Sequence, residues 1–123
     1  MLHQINTTMA LSSIDKIAIV KAAAQRDFDP RETLQWVGLN KIKLFSWGFN
    51  SPTIFANKAL SFKVSGHHHK GIVLITLGWD DTYTVRLLNN KWVEKAKFEG
   101  IYCDVLNEFI DEKVEKIPAY GNN

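Results

Sequence analysis

Residues 82–98, TYTVRLLNNKWVEKAKF, form the stretch that decides the fold. Apolar and polar residues alternate on both sides of Asn89-Asn90, as expected for half-buried strands. Asparagine tolerates the positive φ angles of a type I′ turn, so the pattern predicts a β-hairpin with strands at 82–88 and 91–98. A two-residue turn would place Leu87 opposite Trp92 and Arg86 opposite Val93, and opposed residues share a face.

This register divides the hairpin into an apolar face and a basic face. The apolar face is predicted to meet the core, with Glu94 as a single misfit among Tyr83, Val85, Leu87, Trp92, Ala96 and Phe98. The other face, which also holds Thr82, Thr84, Leu88 and Val93, is predicted to meet solvent. Its cations and one from a neighbouring strand form the predicted basic sheet face, which consists of Lys63, Arg86, Lys91, Lys95 and Lys97.

Three further strands are predicted before the hairpin. Leu60, Phe62 and Val64 alternate with polar residues and indicate a half-buried strand. Residues 72–77 are apolar on both faces and indicate a central strand. Residues 42–47 are also interpreted as a strand, followed by a loop at 48–52.

Helices are predicted near both ends of the chain. Ser12 or Ser13 can cap a first helix that ends near residue 25, and Asp29-Pro30 can open a short second helix. Residues 101–117 carry one apolar stripe, with acidic residues such as Asp111 outside it, which predicts a long C-terminal helix.

Together these elements predict a two-layer α+β domain over residues 12–117. A twisted antiparallel sheet of four to five strands would be packed by the long C-terminal helix, with two N-terminal helices beside it. Residues 1–11 and 118–123 are expected to be flexible. The 123 residues suffice for one hydrophobic core, and 46% apolar with 23% charged residues is typical of a globular protein.

The composition also indicates a cellular location. Cys103 is the single cysteine, so no intramolecular disulfide can form and a reducing compartment is expected. The N-terminus lacks the features of a signal peptide, and no apolar run approaches the ~18 residues of a membrane span. A cytoplasmic protein is therefore expected.

The net charge of +2 is unevenly distributed along the chain. Residues 41–97 have a net charge of +6, whereas residues 98–123 have a net charge of −4. The sequence thus predicts a basic sheet face opposite an acidic helical layer. Such a face can bind RNA or DNA phosphates or an acidic protein surface. Alternatively, its lysines only keep an exposed sheet soluble and protect its edges from pairing.

Catalytic motifs such as a P-loop, G-x-S-x-G or H-E-x-x-H do not occur. In the run His67-His68-His69 only His67 and His69 could share a metal, and a zinc site needs at least three protein ligands, so they are weak metal candidates. Asp80-Asp81 is interpreted as a turn, and Cys103 as a semi-buried thiol without an activating motif. We expect neither an enzyme nor a bound cofactor.

Four aromatic residues flank predicted loops: Trp47, Phe49, Phe55 and Trp79. An exposed aromatic side chain at such a place could anchor a binding partner. Burial against the helices is the interpretation that the general behaviour of large aromatic side chains favours for this group.

Several segments, in their order and spacing, resemble a family of small uncharacterised proteins encoded by tailed phages and prophages. The resemblance covers about residues 33–116 and is carried by LQWVG (34–38), ALSFK (59–63), IVLITL (72–77) with DTYTV (81–85), and GIYCDVL (100–106). The first helix, the histidine run and the Asn89-Asn90 turn depart from the family pattern. The family has no assigned active site.

The resemblance implies a non-enzymatic phage-type binding protein that acts in the host cytoplasm. Inhibition of a host defence system, as by anti-CRISPR proteins, is the role it suggests, with a host protein or ribonucleoprotein bound through the basic sheet face. One alternative is a direct RNA- or DNA-binding accessory protein. A second is a metal-binding protein that uses His67 and His69. No membrane partner is expected, and the oligomeric state stays open.

Overall fold

The computed structural model describes residues 12–116, and the ends predicted to be flexible lie outside the described residues. Five strands form one antiparallel sheet in chain order: β1 (Asn50–Phe55), β2 (Ala59–Ser65), β3 (Lys70–Leu77), β4 (Tyr83–Leu88) and β5 (Glu94–Ile101). The described part also contains four α-helices: α1 (Ser13–Ala23), α2 (Pro30–Val37), α3 (Lys41–Ser46) and α4 (Leu106–Val114). The α+β class and the antiparallel sheet are confirmed.

Helices α1 and α2 begin where their capping residues predict. The Ser12 hydroxyl accepts a hydrogen bond from the Asp15 backbone N–H, and the Asp29 carboxylate accepts one from the Arg31 N–H. Pro30 occupies the first position of α2. Each cap satisfies a backbone N–H group that the first turn of a helix leaves without an intrahelical partner.

The strand predicted at 42–47 is wrong, because this segment forms α3. The Asn40 side chain caps the helix by accepting the Lys43 N–H at 3.1 Å. Leu44 and Trp47 are buried three residues apart, at helical spacing, whereas Ile42 projects into solvent. The edge strand β1 follows instead, and it includes part of the segment predicted as a loop at 48–52.

The β4–β5 hairpin is present, but its predicted two-residue turn is wrong. Residues 89–93 form a longer loop, closed by the Asn89 side chain, which accepts the N–H groups of Lys91 and Val93. An asparagine side chain can close a turn in this way by accepting backbone N–H groups ahead of it. Trp92 in this loop has a φ angle of 64°.

The register of β5 therefore differs from the predicted one. Leu87 opposes Ala96, and Arg86 opposes Lys97. Ala96 still shares the face of Leu87, as predicted, because the register moves by an even number of residues. An irregularity after Leu87 places Glu94 opposite Leu88, on the other face of the sheet, which removes the misfit of a carboxylate on the core face.

The C-terminal helix is shorter than predicted, so the long helix is not confirmed. Strand β5 extends to Ile101, a 3-10 turn follows at Cys103–Val105, and α4 spans Leu106–Val114. The centre of the predicted stripe is buried on the sheet, at Leu106, Ile110 and Val114. Asp111, predicted to lie outside the stripe, is buried as well.

The sheet lies between two helical layers, so the predicted two-layer arrangement is wrong. Helices α2, α3 and α4 cover one face, in a core that includes Phe62, Ile75 and Val85. Helix α1 packs on the opposite face, where Val20 and Ala23 meet a second apolar cluster: Ala59, Ile72, Leu74, Leu88 and Trp92. A central strand that is apolar on both faces, as β3 is, needs cover on both.

Candidate functional site

The predicted basic sheet face is not an open surface. Helix α1 and Trp92 of the 89–93 loop pack over Leu74 and Leu88. Thr82, Thr84 and Leu88, which were expected to face solvent, are buried. The cations of this face therefore lie either beneath the cover or around its edge.

Arg86 is the cation beneath the cover. Its side chain is only 13% exposed, and its Nε donates to Glu94 Oε1 at 3.1 Å. One of its terminal nitrogens also lies 3.4 Å from the Thr76 hydroxyl. Lys97 is exposed but lies 3.2 Å from Glu99 Oε2. Two of the five predicted binding residues thus already have a carboxylate partner.

The other three predicted cations, Lys63, Lys91 and Lys95, are exposed, and among residues 12–116 none has a carboxylate within 4.0 Å. Lys70 has the same properties. It opposes Ser65 and lies two residues before Ile72, which places it on the α1 side of the sheet with Lys63. Alternation counted back from Ile72 could have identified it. We call Lys63, Lys70, Lys91 and Lys95 the lysine border.

The strand register gathers the lysine border at one end of the sheet. A single row of paired residues begins at Asn50 of β1 and continues through Lys63, Ile72, Leu88 and Glu94. Because neighbouring strands are about 4.8 Å apart, the part of the row from Lys63 to Glu94 spans about 15 Å. Lys63 is the first lysine along this row, and Lys95 follows its last member. The other two lysines lie just beyond it, where β3 begins and where the chain leaves β4.

Helix α1 brings one more ammonium group to this end. Lys16 Nζ lies 5.6 Å from the centre of the Trp92 ring, in a cation–π arrangement. Trp92 is the immediate neighbour of Lys91 in the loop. The cover over the sheet therefore adds positive charge beside the lysine border.

The helical layer on the other side of the sheet is acidic. Asp104, Glu108 and Glu112 are exposed on the 3-10 turn and α4. Lys113 on the same helix lies over the rings of Phe98 and Phe109, 4.8 and 5.5 Å from their centres. The structure thus separates the exposed acids of α4 from the lysine border by the thickness of the sheet.

The four loop aromatics have different fates. Trp47 is fully buried and stacks near Phe62, and Phe49 and Phe55 are half-buried. Trp79, in the loop between β3 and β4, is 74% exposed. The preference for burial is therefore right for three of these residues and wrong for Trp79.

Trp79 lines an open cavity of about 710 Å³ on the α1 side of the sheet. Its walls include three cations and one acid around the indole: Lys21, Arg26, Lys58 and Asp27. Lys58 forms an ion pair with Asp27, and Arg26 forms one with Asp81 of the Trp79 loop. The two ion pairs tie the segment after α1 to both neighbouring loops.

The adjacent carboxylates Asp80 and Asp81 hold this loop, as the turn interpretation predicts. Asp80 Oδ1 accepts hydrogen bonds from the Thr82 hydroxyl at 2.7 Å and from its backbone N–H at 3.1 Å. These hydrogen bonds, the hydroxyl one first, lower the pKa of Asp80 below its usual value. Asp81 has a φ angle of 66°.

The histidine run joins β2 to β3 and contacts the end of α4. The backbone N–H of His67 donates to Glu115 Oε1 at 2.9 Å, and that of His68 donates to the Val114 carbonyl at 2.7 Å. The His69 ring lies 3.2 Å from the Ile72 carbonyl. Across residues 12–116 no group of three or more His, Cys, Asp or Glu side chains is placed to hold a metal ion.

A short apolar ridge lies in the helical layer, on the opposite side of the molecule from the lysine border. Ile42 and Phe45 of α3 are 82% and 76% exposed, and Leu39 just before the helix is exposed as well. They fall three residues apart, so they share one side of the helix.

Comparison of the chain with protein-family models, with curated proteins and with solved structures finds no match. Within the part of the chain that the structure describes, no helix has the length and apolar character needed to cross a membrane.

Proposed function

We propose that the chain is a non-enzymatic binding protein of the cytoplasm that holds the phosphate backbone of a nucleic acid, free or within a ribonucleoprotein, on its lysine border. The observation that supports this most directly is the gathering of four exposed lysines that have no carboxylate partner among residues 12–116. Elsewhere on the same side, Lys58 and Lys97 do have carboxylate partners. Unpartnered lysines that share one patch favour an anionic ligand.

The residue type fits contacts to phosphates that are not tied to one fixed geometry. Arginine is the usual choice for specific recognition of carboxylates and phosphates, because its planar fork binds either group with two hydrogen bonds. In this chain Arg86 is engaged inside the fold, and the border consists of lysines alone. Lysine is a compact charge on a flexible stem, which suits phosphates at variable positions.

The acidic layer on α4 supports an oriented encounter. The exposed acids of α4 repel a polyanion, while the lysine border on the other side of the sheet attracts it. Because the net charge of the chain is only +2, the attraction is local and depends on which side faces the nucleic acid.

The resemblance to small phage proteins extends the proposal to a biological role. RNA exposed on a host defence ribonucleoprotein is the target that we propose, since a protein bound to that RNA would block access to it. This role rests on the resemblance, whereas phosphate binding rests on the lysine border.

Charge reversal tests the proposal. The double variant Lys63→Glu/Lys91→Glu should bind fluorescein-labelled RNA and DNA oligonucleotides at least about tenfold more weakly than the parent at low salt, since it replaces two attractive charges with repulsive ones. Fluorescence anisotropy measures the affinity, and circular dichroism checks that the variant is folded.

A matched control distinguishes local from overall charge. The variant Arg31→Glu/Lys41→Glu changes the net charge equally, but its two exposed cations lie in the helical layer, on α2 and α3. It should bind close to the parent. Equal losses in the two double variants would contradict a site at the lysine border, and no measurable binding by the parent at low salt would overturn the proposed function.

A further inference from the structure

We infer that Trp79 stacks on an unpaired base, so that the nucleic acid is single-stranded where it contacts the loop between β3 and β4. This inference rests on the proposed function, in which the ligand is a nucleic acid. Trp79 would provide a second contact, at the opposite end of β3 from Lys70, and this contact requires a single strand.

The loop holds the indole in solvent by its own hydrogen bonds. The Gly78 N–H donates to the Thr82 carbonyl at 2.8 Å, and the Asp81 N–H donates to the Gly78 carbonyl at 3.0 Å. The Asp80 carboxylate accepts from Thr82 within the same turn. Trp79 is therefore exposed on a loop that its own hydrogen bonds hold in place. Because the loop is already ordered, little conformational entropy is lost when the indole binds a ligand.

The cations around the indole supply the second half of a stacking site. Three cations, Lys21, Arg26 and Lys58, line the cavity. The acids beside it are Asp27, Asp80 and Asp81, so the charges are equal in number, and Arg26 and Lys58 each pair with one of these acids. The two ion pairs are largely exposed to solvent, so they are worth little and do not exclude a phosphate from the same cations. Lys21 on the outside of α1 has no carboxylate within 4.0 Å among the residues that the structure describes.

An aromatic side chain beside lysine and arginine is the arrangement that binds single strands, because every base has a face that can stack while the backbone follows the positive charge. A duplex hides those faces between its base pairs. Apolar anchoring of a protein would favour a dry pocket, whereas this cavity is open and lined by charged groups.

The position of the cavity agrees with one strand contacting both sites. The cavity is lined by α1 and the segment that follows it, so it lies on the same side of the sheet as the lysine border. The two sites lie at opposite ends of β3, which has 8 residues. At ~3.3 Å per residue the sites are therefore about 26 Å apart. A single-stranded nucleic acid of about 12 nucleotides falls within the usual site sizes of single-strand-binding domains.

The test compares a 12-nucleotide single strand with the duplex of the same sequence. The parent should bind the single strand more tightly, and stacking on Trp79 should quench its tryptophan fluorescence. The quenching can be assigned to Trp79 because Trp47 and Trp92 are buried and Trp36 is half-buried. Trp79→Ala should bind the single strand roughly tenfold more weakly, lose the quenching and keep its affinity for the duplex. Trp79→Phe should recover part of the affinity.

Phe45→Ala is the matched control, since its ring is as exposed as that of Trp79 but lies on α3 in the opposite layer. It should leave both affinities unchanged. Single-strand binding that depends on the lysine border but not on Trp79 would overturn this inference and leave the proposed function standing. If the parent binds neither probe, the proposed function itself fails.

Discussion

Asp111 accepts a hydrogen bond from the Trp47 indole N–H at 2.9 Å, and both side chains are buried where α3 meets α4. Lys43 Nζ lies 4.0 Å from the other carboxylate oxygen. In the described part of the chain every buried side-chain nitrogen or oxygen has a hydrogen-bond partner. A buried donor that loses its acceptor costs more than the net value of the bond, because it is left without either water or protein.

Asp111→Ala should therefore lower the free energy of unfolding by about 1–3 kcal/mol, since it leaves the Trp47 N–H buried without an acceptor. Asp111→Asn keeps an oxygen at that place and should cost less. Urea unfolding followed by far-UV circular dichroism measures both variants. Equal losses for the two would show that the hydrogen bond to Trp47 does not account for the effect.

Side chains such as Asp111 mark the limit of what a sequence pattern predicts for single residues. Its partner Trp47 lies 64 positions away. Helical periodicity predicts which positions of α4 face the sheet, but not that a carboxylate finds a donor there. Glu94 and Arg86 show the same limit, because their ion pair depends on an irregular register in β5.

At the level of elements, local capping decided whether a short segment became a helix. Segment 42–47, IKLFSW, is rich in apolar and aromatic side chains, which fits a strand, yet it also places Leu44 and Trp47 three residues apart. Periodicity over six residues cannot separate the two. The Asn40 side chain resolves the choice by satisfying the Lys43 N–H at the first turn of α3.

Asn40→Ala should lower the free energy of unfolding by about 1 kcal/mol, because it removes this cap. Asn40→Asp keeps an oxygen acceptor and should retain most of the stability. Thermal and urea unfolding measure the difference. A fully stable Asn40→Ala protein would contradict the role of the cap.

Elements with a strong local pattern were predicted well. The caps of α1 and α2, the alternation of β2 and the two-sided apolar run of β3 are all properties of neighbouring residues. The local pattern does not predict the 89–93 loop, because Asn89-Asn90 fits a type I′ turn as well as the longer loop that Asn89 closes. Trp92 then packs under α1, a tertiary contact that no hairpin rule contains.

Over the whole molecule, cover on both faces of the sheet explains the fate of the predicted basic sheet face. Strand alternation predicts the cations of this face, but it does not predict that α1 covers the face. Val20 and Ala23 belong to α1, and the sequence of this helix does not indicate on which face of the sheet it packs. Arg86 is largely buried and pairs with Glu94, Lys97 pairs with Glu99, and the remaining lysines with Lys70 stand around the edge. The charge separation across the sheet that the sequence indicates is present in the structure.

The salt dependence of binding tests most directly the claim that the lysine border holds phosphates. With four lysine contacts, the logarithm of the association constant for a single strand should fall with the logarithm of the salt concentration with a slope of about −3. Lys63→Glu/Lys91→Glu should make the slope shallower by about 1 or more, whereas Arg31→Glu/Lys41→Glu should keep it. A slope near zero for the parent, or the same slope in all three proteins, would contradict phosphate binding by the lysine border.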